Sequence, residues 1–472
     1  MSLTRRIFLR NSIATSAAFS GLATLAGCQA GGVVPGYRNQ VTGYGPLRLD
    51  SAGIFDLPRG FSYQIISTVG DEMTDGLLAP GDFDGMGCFA RDDGRIVLVR
   101  NHELNPGQVE VSAFGPGNSR IGLIDRDRVH DWTADGLPNL GGTSHLVLDP
   151  QTLEIEEQYL SLVGTYNNCA GGMTPWGSWI TCEETTVGAG DAAQVEHGYC
   201  FEVPASATGL VEPVPLKAMG RFRHEAVAVD PETGFVYETE DEYAGACFYR
   251  FLPNVHGQLS QGGRLQALAI KGRPGLDVRN WAETGPAVAV GDWLDVEWID
   301  LDDVESPNAD LWQRAVAAGA AHMTRCEGIF WGDGEAYFTS TDGGPAHIGQ
   351  IWRYQPSPLE GQPGEASQPG RLQLFLESDD PEIMEKCDNI CVAPWGDLIV
   401  VEDGDEEQYI RGVTPAGQVY TIGRNAASGP DGEKSEITGP CFSPDGSTLF
   451  FNIQRWPGRT FALRGPWQDR SL

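Results

Sequence analysis

The chain has 472 residues, a formal net charge of −33, 61 glycines, 30 prolines and ten cysteines. Such acidity excludes nucleic acid, or an anionic membrane surface, as a partner held by charge. The Gly and Pro content, with few long periodic apolar stretches, favours many short strands and turns.

The first thirty residues read as an address. Thr4-Arg5-Arg6-Ile7-Phe8-Leu9 sets twin arginines ahead of apolar residues, and Ile13–Ala26 is a small-residue apolar segment. This is the layout of a twin-arginine export signal, with the twin-arginine machinery as partner. Its apolar part is short and weakly hydrophobic for a membrane span. Leu25-Ala26-Gly27-Cys28 also has the form of a lipoprotein cleavage box, with Cys28 as the acylated residue. Residues 31–472 are expected to form one monomeric domain that is periplasmic, lipid-anchored at the cell surface, or secreted.

From Asp84 onward one unit recurs. A polar or acidic residue opens a short apolar strand, a Gly-containing turn follows, and a second apolar strand ends on carboxylates or amides. Asp84-Gly85-Met86 leads through the Asp92-Asp93-Gly94 turn to Asn101-His102-Glu103. Gly141–Val147 reads as a further strand feeding the next hairpin. That hairpin, Asn168–Glu184, reads NCAGGMTPWGSWITCEE and runs from Cys169 through Pro175-Trp176-Gly177 to Glu183-Glu184. Gly188–Glu202 is expected as a loop. His224-Glu225 leads to Glu240-Asp241, and Leu265–Ser306 looks like an excursion. Leu311–Met323 has an alanine-rich helical pattern. Arg325-Cys326-Glu327 leads to Thr341-Asp342, and Ser357–Gly370 looks like a second excursion. Asp388-Asn389 leads to Glu402-Asp403, and Gly439-Pro440 to Asn452 and Gln454.

Asp-Gly and Pro-x-Gly turns between apolar runs are strong hairpin signals. Six such units predict an all-β fold, a β-propeller of about six blades, because radial repetition protects strand edges. The entry ends of the innermost strands then face a central channel, and each hairpin returns its closing residues to the same end. Two concentric rings follow at one mouth. Cys169, Glu225, Glu327 and Asn389 lie inside; Glu103, Glu183, Glu184, Glu240, Asp241, Glu402 and Asp403 surround them. Most cysteines lie in apolar runs and read as buried free thiols. A Cys387–Cys391 disulfide is left open, and Cys169 stands apart because it opens a Gly-Gly stretch.

So many carboxylates at one mouth cannot all ionise unless cations neutralise them. Carboxylates with backbone carbonyls suit calcium or magnesium, whereas a thiolate among them suits a transition metal, iron or zinc. Arg325 lies two residues before Glu327, on the same face of a strand. A guanidinium beside a metal-ligating carboxylate can hold a phosphate oxyanion in bidentate fashion.

Several motifs together resemble one family. They are Arg100-Asn101-His102-Glu103; Cys169-Ala170-Gly171-Gly172 with Thr174-Pro175-Trp176-Gly177 and Cys182-Glu183-Glu184; Arg221-Phe222-Arg223-His224-Glu225-Ala226; Glu240-Asp241; Arg325-Cys326-Glu327-Gly328; and Gly439-Pro440 with Ser443-Pro444-Asp445-Gly446. In this order, from about Asp82 to Gly458, they look like the PhoX alkaline phosphatases. The resemblance implies a propeller with two ferric ions, several calcium ions and an oxo bridge that hydrolyses phosphomonoesters outside the cytoplasm. Carried over by motif, Cys169 is an iron ligand, Glu225 and Glu327 complete the iron environment, and Glu183-Glu184, Glu240-Asp241 and Glu402-Asp403 serve calcium. Arg325 holds the phosphate. The residues alone leave two other readings open: a calcium propeller hydrolysing another ester, and a calcium-stabilised binding propeller without catalysis. The chain is more compact than the larger family members, so its lid loops and substrate contacts are expected to differ.

Overall fold

The computed structural model describes residues 34, 36–190, 193–430 and 432–471. The export signal read at residues 1–30, with Arg5, Arg6 and Cys28, lies outside the described residues.

The apolar runs form antiparallel hairpins. β1 (Leu47–Arg48), β2 (Phe55–Pro58) and β3 (Ser62–Thr68) precede the first of them. β4 (Phe83–Ala90), β5 (Ile96–His102), β6 (Gly141–Leu148) and β7 (Ile155–Thr165) form a sheet in that order. β8 (Asn168–Met173), β9 (Ser178–Glu183) and β10 (Cys200–Pro204) form the next. β11 (His224–Val229), β12 (Val236–Glu240), β13 (Phe248–Pro253) and β14 (Gly263–Ile270) are followed by β15 (Trp293–Asp300). The α-helix α1 (Leu311–Ala318) leads into β16 (Cys326–Gly332), β17 (Glu335–Ser340), β18 (Gln350–Gln355) and β19 (Arg371–Glu377). β15 pairs with both β14 and β19, so these nine strands share one sheet. β20 (Cys387–Val392), β21 (Leu398–Glu402), β22 (Tyr409–Val413) and β23 (Val419–Asn425) continue outward through β2 to β1. β24 (Ile437–Phe442), β25 (Thr448–Ile453) and β26 (Arg459–Arg464) are completed by β3, so the N-terminal part of the chain finishes the last sheet.

The arrangement is all-β and propeller-like. Its innermost strands adjoin in the cyclic order β4, β8, β11, β16, β20, β24 and back to β4. Apolar side chains packed between sheets form the cores, such as Tyr237, Phe248, Phe338 and Trp352. Among the described residues no helix is long and apolar enough to cross a membrane.

Some expectations shift. The helix expected over Leu311–Met323 stops at Ala318, where Gly319 takes a left-handed conformation and ends it. The loop expected over Gly188–Glu202 gives way to β10 at Cys200, and the excursion expected over Leu265–Ser306 contains the outer strands β14 and β15. Gly141–Leu148 is an outer strand of the first sheet. Cys387 and Cys391 are both free. They are four residues apart on one strand, about 13 Å in extended chain, whereas a disulfide needs Cα atoms within about 7 Å.

Candidate active site

Each innermost strand carries the same irregularity. In all six, two residues oppose one on the partner strand. The pairs are Asp84-Gly85, Cys169-Ala170, Glu225-Ala226, Glu327-Gly328, Asp388-Asn389 and Gly439-Pro440. They oppose Asn101, Cys182, Thr239, Thr339, Val401 and Phe451. A bulge of this kind bends the strand and re-aims one side chain.

The first residues of the pairs converge at the mouth. Cys169, Glu184 and Glu225 place ligand atoms within 4.8 Å of one another, as do Glu225, Glu327 and Asp388, so Glu225 joins the two groups. The second residues of all six pairs line a cavity of about 260 Å³ on the other side of the ring, together with Met86, Val227, Ile329 and Trp331. They are mostly small, because the strands crowd here: a Cβ on Gly328 would stand 2.7 Å from Asn389 Cα. Side chains opposite the bulges lock neighbouring units together. Asn101 Nδ2 donates to the Cys169 and Ala170 carbonyls at 2.9 and 2.7 Å, and Thr339 Oγ1 donates to the Asp388 carbonyl at 2.7 Å.

The expected rings are therefore partly redrawn. Cys169, Glu225 and Glu327 stand together at the mouth. Asn389 turns to the cavity, and Asp388, one residue earlier, takes the place expected for it. Glu103, Glu184, Asp241 and Asp403 line the rim. Asn167 Nδ2 bridges Glu103 and Glu184 at 2.9 and 3.2 Å. Glu183, Glu240 and Glu402 face the other way, because successive residues of a strand point to opposite faces. Glu183 is saturated by His197 Nδ1 at 2.6 Å and the N–H groups of Tyr166, Gly198 and Tyr199. Glu240 accepts from Tyr249 Oη and Cys247 N, and Glu402 from Arg411 Nε and Glu385 N. Sequence reasoning also passed over Asp84, Asp388 and Glu436 as site residues. Asp84 and Asp388 hold the same opening position as Glu225 and Glu327, a signal legible in the repeat. Glu436 carried no such signal.

Arg325 pairs directly with a ring carboxylate. Its φ of +34° lies in the left-handed region. The guanidinium reaches back so that Nη2 lies 2.6 Å from Glu327 Oε1 and Nε lies 3.1 Å from Asp241 Oδ1. Arg223 pairs with Glu184, and Arg455 with Asp82.

Negative charge still dominates. Burial, then the charges of Glu327 and Glu184, drive Glu225 well above the usual carboxylate range. Burial and Glu327 do the same to Asp388; burial, Glu103 and Glu436 do it to Asp84. Glu327 is raised to about 7 by burial, with Arg325 opposing. Burial and the neighbouring Glu225 push up the Cys169 thiol. Asp84, Cys169, Glu225, Glu327 and Asp388 are each at most 5% exposed. Buried oxygen donors sharing one small space without enough positive charge suit bound cations, and the donor set fits a soft metal at Cys169 beside hard ones.

This is an all-β, propeller-like protein with an acidic, thiol-bearing mouth whose donors suit cations, beside an arginine. A family profile described as "Alkaline phosphatase PhoX" matches residues 42–136 and 139–458. The chain belongs to that family, and is a phosphoric monoester hydrolase. Among solved structures, Pseudomonas fluorescens PhoX in complex with vanadate, a transition state analogue, is similar, with 18% identity and a TM-score of 0.65. The match covers 92% of this chain and 98% of that one. A gluconolactonase, XC5397 from Xanthomonas campestris, matches at 14% identity and a TM-score of 0.37, over 93% of this chain and 100% of that one. A search of curated protein sequences returned no significant match.

Proposed function

We propose that the chain is an exported phosphomonoesterase whose site is the bulge ring, with iron at Cys169 and calcium among the surrounding carboxylates. The observation that carries the proposal is the convergence of Cys169, Glu184, Glu225, Glu327 and Asp388 beside Arg325. Iron would be held by Cys169 with Glu225 and Glu327; calcium would be held by Asp84, Glu103, Glu184, Asp241, Asp388, Asp403 and Glu436. Glu183, Glu240 and Glu402 stay outside the set, because their carboxylates turn toward interior donors. Bound there, such ions would supply Lewis-acid stabilisation of charge on a phosphoryl group.

The chain's own residues do the rest. Arg325 presents two N–H groups to a phosphate oxyanion, a planar fork that matches two oxygens at once. Asp241 and Glu327 orient that fork through its Nε and Nη2 atoms. The apolar wall under the ring lowers the local dielectric, which strengthens each charge contact.

Six blades are the reading of the sheets. β11–β14 and β16–β19 each repeat the four-stranded pattern, and β15 merely links their outer edges. Six equivalent bulges in cyclic order support the count. The twin-arginine motif supports export, and residues 31–472 would then form one monomeric domain, with or without an acyl group on Cys28.

The test is metal analysis of the exported protein alongside hydrolysis of a chromogenic phosphomonoester, with Cys169→Ala as control. Iron and calcium in the wild type, with iron and turnover lost in Cys169→Ala, are expected. Calcium alone with no turnover would sink the proposal.

A further inference from the structure

The structure assigns a second, fully buried metal site to Cys200, His224 and Glu238, with Cys182 beside Cys200, and its chemistry is that of structural zinc. Cys182 and Cys200 are direct cross-strand partners on β9 and β10, with sulfurs 3.7 Å apart. Cys200 Sγ lies 3.3 Å from His224 Nδ1, and Glu238 Oε2 lies 3.4 Å from that same nitrogen. Cys200, His224 and Glu238 offer ligand atoms within 4.8 Å of one another. All four side chains are at 0% exposure.

Two independent features point to a ligand. Among the described residues, neither oxygen of Glu238 has a hydrogen bond, although the carboxylate is wholly buried. A buried carboxylate is retained when it is paired or coordinates a metal. The second feature is the imidazole. His224 Nε2 lies 3.1 Å from the Gly220 carbonyl and donates to it, so that a metal displacing the Nδ1 proton would meet the Nδ1 lone pair beside the thiols and Glu238. Metal-binding histidines are commonly held by such a carbonyl on the far nitrogen.

The spacing fits. Zinc bonds of about 2.3 Å to sulfur and about 2.0 Å to nitrogen or oxygen, on tetrahedral vertices, separate ligands by roughly 3.8 Å (S–S), 3.5 Å (S–N) and 3.3 Å (N–O). The three edges measured here match within a few tenths of an ångström. Thiolate with imidazole favours zinc over calcium; Cys200, His224 and Glu238 supply three ligands, and Cys182, outside that cluster but beside Cys200, would close the site by turning its sulfur toward them. The site would tie the β8–β10 sheet to β11 and β12 directly behind the mouth: Cys182 opposes the Cys169-Ala170 bulge and His224 precedes Glu225.

The experiment is zinc analysis of the purified protein after dialysis against a chelator, with Cys200→Ser, Glu238→Gln and Cys169→Ala beside it. One zinc per chain is expected in the wild type and in Cys169→Ala, and none in Cys200→Ser. Cobalt-loaded protein should show thiolate charge-transfer and tetrahedral d–d bands that survive Cys169→Ala and vanish in Cys200→Ser. Should Cys200→Ser fail to fold, Glu238→Gln decides, because it keeps the packing and removes a charged ligand; its cobalt affinity should fall at least about tenfold. A zinc-free wild type, a Cys182–Cys200 disulfide in unreduced peptides, or unchanged cobalt affinity in Glu238→Gln would overturn the site. Iron and calcium read in the same samples report on the mouth separately.

Discussion

Arg325 Nη2 lies 2.6 Å from Glu327 Oε1, a carboxylate only two residues ahead of it in the chain. The short return is possible because Arg325 has a left-handed backbone immediately before β16, so its side chain folds over the ring. Arg325→Ala should lower kcat/KM for a phosphomonoester by roughly 10²–10³-fold, the usual cost of one charge-stabilising donor. Arg325→Lys should recover only part, since a point charge cannot replace a two-pronged fork. Steady-state kinetics on samples of equal metal content check this, and an unchanged kcat/KM would remove Arg325 from the reaction.

Glu183 and Glu184 are neighbours with opposite expected phenotypes. Glu184 faces Cys169 and Glu225, whereas Glu183 is saturated in the interior by four donors. Glu184→Gln should deplete mouth metal and reduce turnover at least about tenfold, with a small effect on folding. Glu183→Gln should cost about 2–3 kcal/mol of stability, because buried donors lose a charged acceptor, with kcat/KM within a few-fold of wild type. Urea titrations and kinetics on the two variants separate the roles.

Gly439 occupies the ring position where five other strands carry a ligand-type side chain. Its φ is +58°, and a Cβ there would stand 2.5 Å from the Asp84 carbonyl oxygen. Gly439→Ala should destabilise by about 2 kcal/mol or more through backbone strain and this clash. A thermal or urea midpoint equal to wild type would contradict the geometry.

Cation removal should loosen the whole molecule. The ring carboxylates repel one another once their counter-charges leave, and ions that bind only the folded state stabilise it by mass action. The expected loss is about 3 kcal/mol per site that had been held at a hundred times its Kd. Calorimetry with and without a chelator, followed by re-addition of calcium, reads the effect; an unchanged midpoint would mean that the ring holds no ions.

Away from the mouth, Asp50 supplies an acid-sensitive clasp. Burial alone would raise its pKa, but Tyr63 Oη at 2.7 Å and the N–H groups of Ala52, Ile54 and Phe55 outweigh it and hold the group below its ordinary 3.8. A depressed carboxylate contributes stability above its unfolded pKa and loses it as pH falls through the folded value. Asp50→Asn should therefore be less stable than wild type at neutral pH, by no more than about 1 kcal/mol given solvent screening. The gap should close below pH 3.8; a gap independent of pH would rule out the titration.

Much of the site was legible as a pattern. Asp-Gly and Pro-x-Gly turns between apolar runs located the hairpins, and Cys169, Glu225 and Glu327 do stand together at one mouth, while Glu183, Glu240 and Glu402 do not. The failures share one cause. Glu183 and Glu184, or Asp388 and Asn389, are equivalent in a linear pattern of acids and amides, yet in a strand adjacent residues face opposite sides. The two-against-one bulges then set which member faces the mouth, and a bulge depends on how neighbouring strands crowd.

The amino-acid order by itself determined the repeat, the residue types at each opening and closing position, and the family motifs, because turn chemistry and period-two patterning are local properties. Only the tertiary structure decided that Asp388 replaces Asn389 in the ring, that Glu183, Glu240 and Glu402 serve the interior, and that Cys182, Cys200, His224 and Glu238 meet. Those outcomes rest on contacts between strands far apart in the chain, whose bulges and registers are set by packing around a shared axis.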